Sequence, residues 1–232
     1  MGYRMVQWSI LVLSIFMLGC GSVKRAQSPA TKLVSQAAEG LSSVTYISVG
    51  DSTRAKSVYK GGYLFSKMQK TLSTKGVDSI LLARRGQTLS DFNNNQSYPA
   101  TKDVISKIAG DGSKTIVDIS LGLNDCINKE TKKMQWDLEQ SIAKIRRAKP
   151  KTHFMLTTPN RMIFDEDGTK LARDVYHATA NKLNIPLNTV VDTLMPSAEV
   201  TPAMWYHDDG IHLSPEGQYE VAQFILDNML EN

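Results

Sequence analysis

Apolar positions recur along this chain with two alternating periods. Val44 to Val49 is a short run rich in β-branched residues that stops at Gly50, which is how a strand bounded by a turn is written. The next apolar positions, Leu64, Met68 and Leu72, fall four apart and predict one face of a helix from Tyr63 to about Ser73. The alternation then repeats. Ser79 to Ala83, Thr115 to Leu121, His153 to Thr157 and Leu187 to Val191 read as further strands. Thr101 to Ile108, Thr131 to Ala148, Lys170 to Leu183 and a last segment from Ser214 read as helices. The helix over 131–148 carries Met134, Leu138, Ile142 and Ile145 on one side and is closed by Pro150, which cannot continue it. Strands separated by helices predict an α/β domain with parallel strands joined by right-handed crossovers. The strands are nearly continuous apolar runs, so helices are expected on both faces of the sheet.

The N-terminus follows a different pattern. Arg4 gives a positive start, Met5 to Leu18 is mostly apolar, and Gly19 and Cys20 follow. That stretch is shorter than the roughly 20 residues a permanent membrane span needs, and it reads as a signal peptide over 1–19. Met17-Leu18-Gly19-Cys20 resembles a bacterial lipoprotein processing site, which implies that Cys20 is lipidated; the alternative is a plain signal peptide cut nearby. Residues 20–43 are polar and small, with a short helix near Lys32 to Ala38, and read as a tether. The domain is expected over 44–232. This predicts an exported protein, held at the membrane of the bacterial cell envelope by an N-terminal lipid. Otherwise it is periplasmic or secreted.

Composition narrows the class further. Hydrophobic residues make up 41% and charged residues 22%, as in a globular domain. A net charge of +4 is too weak to argue for nucleic acid. The basic run Lys144, Arg146, Arg147, Lys149 and Lys151 ends a predicted helix, where the dipole favours cations. With Cys20 lipidated, Cys126 has no disulfide partner and reads as a small buried apolar side chain. No His/Cys cluster has metal-ligand spacing and no glycine-rich loop opens a helix, so neither metal nor cofactor is expected.

Ligands of an open parallel sheet sit beyond the C-terminal strand ends. Gly50-Asp51-Ser52-Thr53 follows the first predicted strand, Arg84-Arg85-Gly86-Gln87 the second and Gly122-Leu123-Asn124-Asp125 the third; Asp208-Asp209-Gly210-Ile211-His212 precedes the last helix. A serine hydroxyl needs a base to become a nucleophile. Histidine suits that task, and a carboxylate must fix its tautomer. Ser52, His212 and Asp209 are the candidates; Asp209 lies three residues before His212, within reach across one turn. Backbone N–H groups of Ser52 and Gly86 and the Asn124 amide are candidate oxyanion donors. His207 competes with His212 and Asp208 with Asp209. His153 and His177 read as structural, and Asp51 and Asp125 as groups bonding loop backbone.

These stretches resemble the GDSL, or SGNH, hydrolase family. Gly50-Asp51-Ser52 is similar to its first block, Gly86 to its second, Gly122-x-Asn124-Asp125 to its third, and Asp209-x-x-His212 followed by Leu213-Ser-Pro-Glu-Gly217 to its fifth. The resemblance implies a three-layer α/β/α sandwich of flavodoxin-like topology, with about five parallel strands. It also implies a Ser52–His212–Asp209 triad with an oxyanion hole from Ser52, Gly86 and Asn124. Thr53 stands where leucine is usual, a form similar to the branch that deacetylates plant pectin sugars. The expected activity is hydrolysis of ester-linked acyl groups, O-acetyl on carbohydrate or peptidoglycan first. Alternatives are a lysophospholipase or thioesterase, an O-acyltransferase, and a non-catalytic binding lipoprotein. Arg54 could meet an anionic group or form a surface ion pair. Trp205 and Tyr206 could stack on a sugar ring or acyl chain, or pack beneath their loop.

Overall fold

The computed structural model describes residues 29–40, 43–55, 63–128 and 130–230. The expected signal segment, Cys20 and the first part of the tether lie outside the described residues.

The strand-forming runs assemble into one sheet: β1 Val44–Gly50, β2 Val77–Ala83, β3 Thr115–Ser120, β4 His153–Thr157 and β5 Leu187–Asn188. Every pairing is parallel, and the spatial order is β2-β1-β3-β4-β5. That order reverses direction between β1 and β3, and a doubly wound sheet opens its ligand crevice at such a point. The helices are α1 Pro29–Ala38, α2 Tyr63–Ser73, α3 Leu89–Asn94, α4 Thr101–Lys107, α5 Leu123–Ile127, α6 Met134–Ala148, α7 Glu166–Leu183, α8 Val190–Thr193 and α9 Pro215–Leu230.

Side chains of a strand alternate between faces, and this alternation splits the apolar residues into two cores. Ile47, Val49, Val117, Ile119, Phe154 and Leu156 face α3 to α7. Val44, Tyr46, Ile116 and Met155 face α1, α2 and α9. Two covered faces make the three-layer sandwich.

Among the differences from the sequence reading, three have a clear physical cause. The short helix expected near Lys32 to Ala38 forms as α1, Pro29–Ala38, but it is docked rather than part of a tether: Ala30, Leu33, Val34 and Ala37 are buried in the second core. Their spacing of three and four makes an apolar stripe that small and polar neighbours disguise. The fifth strand ends at Asn188, because Val190 and Val191 turn into α8, where Thr158 Oγ1 accepts the Val191 N–H at 3.1 Å. Between β2 and α4 lies α3, an element the periodicity does not predict: Thr88 Oγ1 accepts the Asp91 N–H at its start and Asn95 adopts φ 57° at its end.

Candidate active site

The turn that carries Ser52, the candidate nucleophile, grows out of β1. Arg54 and Ala55 N–H groups donate to Asp51 O at 3.2 and 3.1 Å, and Asp51 Oδ1 accepts from Thr53 N (2.9 Å) and Thr53 Oγ1 (2.8 Å). Asp51 thus ties the turn that presents Ser52. The Arg54 side chain folds back over Gly50, where any Cβ would sit 2.7 Å from its Cδ, so this position requires glycine. Its guanidinium then reaches under the turn. Nη1 donates to Ser48 Oγ at 2.8 Å and to Asp118 Oδ2 at 2.7 Å. Asp118 also accepts from Tyr46 Oη at 2.6 Å and from Thr157 Oγ1 at 2.8 Å. Arg54 is only 3% exposed. The expectation that it meets substrate is therefore corrected, and so is the alternative of a surface pair: the partner is a buried strand carboxylate.

The histidine loop is a small antiparallel ribbon. Tyr206 bridges Leu213, and the His207 N–H donates to His212 O at 2.9 Å. Asp209 Oδ1 accepts the N–H groups of Ile211 and His212, each at 2.9 Å. Its Oδ2 lies 2.6 Å from His212 Nδ1, and His212 Nε2 lies 2.8 Å from Ser52 Oγ. An ionised carboxylate can only accept. Nδ1 therefore carries the proton, and Nε2 is left to accept from the Ser52 hydroxyl. Asp208 is exposed, and it is Asp209 that meets the ring. His207 serves the loop through its backbone, His153 begins β4, and His177 faces Asp192 at 2.7 Å.

Asn124 sits in the first turn of α5, and its Nδ2 donates to Gln87 O at 3.0 Å and to Asp51 Oδ2 at 3.3 Å. Among the described residues no acceptor meets the backbone N–H of Ser52 or of Gly86. Ser52, Gly86, Asn124 and His212 line one cavity of about 170 Å³, with Ile211 and Arg85. Beside it, Asp125 accepts the Leu89 N–H at 3.0 Å, and burial pushes its carboxyl up to about 7. Burial likewise raises Asp51, against the opposing bonds from Thr53. Cys126 is buried and its thiol is pushed up to about 12 by burial, which leaves it unreactive.

Trp205 and Tyr206 do not line this cavity. Tyr206 is buried in the second core and its hydroxyl donates to Arg161 O at 3.1 Å; Trp205 packs on the same core. Substrate stacking by either is corrected to packing beneath the loop. Asp118 was missed, although a carboxylate inside an apolar strand signals a buried cation nearby. Arg85 was also missed, because nothing in a pair of arginines tells which one faces a cavity.

The model of the GDSL-like Lipase/Acylhydrolase family matches residues 43–219. No protein of curated function matches the chain by sequence. The fold superposes on TesA with a TM-score of 0.63 at 17% identity, over 80% of this chain and 97% of that one. A member of the lipolytic protein G-D-S-L family from Veillonella parvula gives 0.62 at 18%, over 79% and 97%. A catalytic mutant of Axe2, an acetylxylan esterase from Geobacillus stearothermophilus, gives 0.63 at 16%, over 81% and 94%. At such identities these likenesses establish the fold.

Proposed function

The chain belongs to the GDSL-like lipase/acylhydrolase family, and from that premise we propose that it is a serine esterase releasing short acyl groups, acetyl first, from carbohydrate of the cell envelope. Family membership implies ester hydrolysis. The observation that carries the mechanism is the unbroken relay from Ser52 Oγ to His212 Nε2 at 2.8 Å and from His212 Nδ1 to Asp209 Oδ2 at 2.6 Å. His212 takes the hydroxyl proton as Ser52 Oγ attacks the ester carbonyl, and Asp209 stabilises the imidazolium. The carbonyl oxygen becomes an oxyanion facing the N–H groups of Ser52 and Gly86, and the Asn124 amide joins them by giving up its longer bond, the 3.3 Å one to Asp51 Oδ2. His212 then protonates the departing alcohol. Water, deprotonated by the same ring, frees the acid from Ser52.

The short-acyl preference is supported by cavity size. About 170 Å³ is below the roughly 300–1,000 Å³ of pockets that bury drug-sized ligands. The acetylxylan esterase among the structural neighbours and Thr53 support carbohydrate. The envelope location rests on the signal-like N-terminus and Cys20, which would hold the domain at the membrane through lipid. A fluorophosphonate probe should label Ser52, and Ser52→Ala should abolish labelling and acetate release while leaving thermal stability nearly unchanged. Asn124→Ala should lower kcat by roughly 10²–10³. An unlabelled wild-type protein would overturn the triad.

One observation favours a second reading, a lysophospholipase or thioesterase. Ile127 and Ile211 line the cavity, and Ile127, 42% exposed, offers an apolar wall to a longer chain. A series of p-nitrophenyl esters separates the two: activity peaking at eight carbons or more favours the lipid substrate.

A further inference from the structure

Arg85 lines the cavity with Gly86, Asn124 and His212, yet the esterase chemistry has no use for it. Its side chain is exposed, and among the described residues no carboxylate pairs with it. Asp51 is the one acid lining the cavity among those residues, and it is committed. Its Oδ1 accepts from Thr53 and its Oδ2 from Asn124. The contrast with Arg54 is direct: that guanidinium is buried on Asp118, whereas the one at Arg85, at the cavity wall, has no carboxylate partner among the described residues.

The turn carrying Arg85 is held on both sides. The Arg84 N–H donates to Gly50 O and the Gln87 N–H to Arg84 O, both at 3.3 Å. Gln87 O in turn accepts from Asn124 Nδ2 at 3.0 Å. The backbone of Arg85 is therefore registered to the Ser52 turn and to Asn124, while its exposed side chain lines the cavity. A cation placed so finds a substrate anion at a fixed offset from the scissile carbonyl.

We propose that Arg85 is a substrate-binding residue that selects esters whose alcohol half bears a carboxylate, such as an O-acetylated uronic acid. The proposal rests on the hydrolase reading above. Three arguments define the ligand. A guanidinium matches the two oxygens of a carboxylate as a planar fork. Arg85 is the lone cation lining the cavity among the described residues, whereas a dianionic phosphate calls for several donors. The cavity of about 170 Å³ suits an acyl group as small as acetyl, which carries no charge, so the anion belongs to the alcohol.

The test compares the O-acetyl esters of methyl glucuronide and methyl glucoside, with the hemisuccinate of methyl glucoside as the arm that puts the charge on the acyl half. Wild-type protein should favour the glucuronide by roughly tenfold in kcat/KM, chiefly through KM, which is the scale of one charge-assisted hydrogen bond. Arg85→Ala should bring that ratio towards one, Arg85→Lys should keep part of it, and salt should shrink it. A ratio that survives Arg85→Ala, or no preference in the wild type, overturns the proposal. An Arg85-dependent advantage for the hemisuccinate instead overturns its assignment to the alcohol. If the wild type neither turns over these esters nor takes the fluorophosphonate, the hydrolase reading fails on its own account. Calorimetric binding of the two acetyl esters to Ser52→Ala still decides the role of Arg85 without turnover.

Discussion

A buried charge survives only when its partner is supplied in the same place. Arg54 and Asp118, 3% and 0% exposed, meet that demand under the turn that carries Ser52, and Ser48, Tyr46 and Thr157 add hydrogen bonds around them. Breaking such a pair from one side strands the other charge, at about 3–5 kcal/mol. Asp118→Leu should therefore lower unfolding free energy in urea by that amount, and a loss below about 1 kcal/mol would contradict the account. Ser52, His212 and Asp209 were legible as residues because each chemistry-bearing type sits where a strand or helix boundary is written into the pattern. The direction of a side chain was not. Arg54 follows Ser52 by two residues, and only the fold reveals that it turns back along β1 towards position 48.

At the scale of elements, the ribbon from Tyr206 to Leu213 does the positioning. Its apex places Gly210 at φ 65°, with Ile163 Cβ 3.4 Å from where a side chain would begin. An L-residue in that conformation costs roughly 1–2 kcal/mol. Gly210→Ala should destabilise by about that much and lower kcat more than it raises KM, because Asp209 and His212 are its neighbours; an unchanged kcat would count against this. Helix α1 makes a different claim. Leu33, 9% exposed, packs in the second core, so Leu33→Ala should cost roughly 2–5 kcal/mol in chemical denaturation. A neutral outcome would restore the tether reading. The long helices were legible from apolar spacing. The register of α1 was not, because alanines carry little periodic contrast, and β5 was overextended because Val190 and Val191 have strand propensity that a Thr158 cap overrides.

Across the whole molecule the carboxylates beside the site couple folding to pH. Asp125 is held up at about 7 by burial, against an ordinary value near 3.9. Between those values the folded state keeps a proton that the unfolded chain has lost. Stability must then fall as pH rises from about 4 to about 7 and level off above. Asp125→Asn should flatten this dependence in urea titrations at pH 5 and pH 8, and parallel curves for the two proteins would refute it. The sequence by itself determined the alternation of strands and helices and the parallel sheet, and it singled out the candidate reacting groups, because local periodicity and turn chemistry act over a few residues. Only the tertiary structure decided which arginine is buried and which lines the cavity, that Trp205 and Tyr206 brace a loop, and that Ser52 and His212 stand 2.8 Å apart. Those outcomes depend on packing between segments far apart in the chain, where the cost of burying a charge or a ring is settled by neighbours that no local window contains.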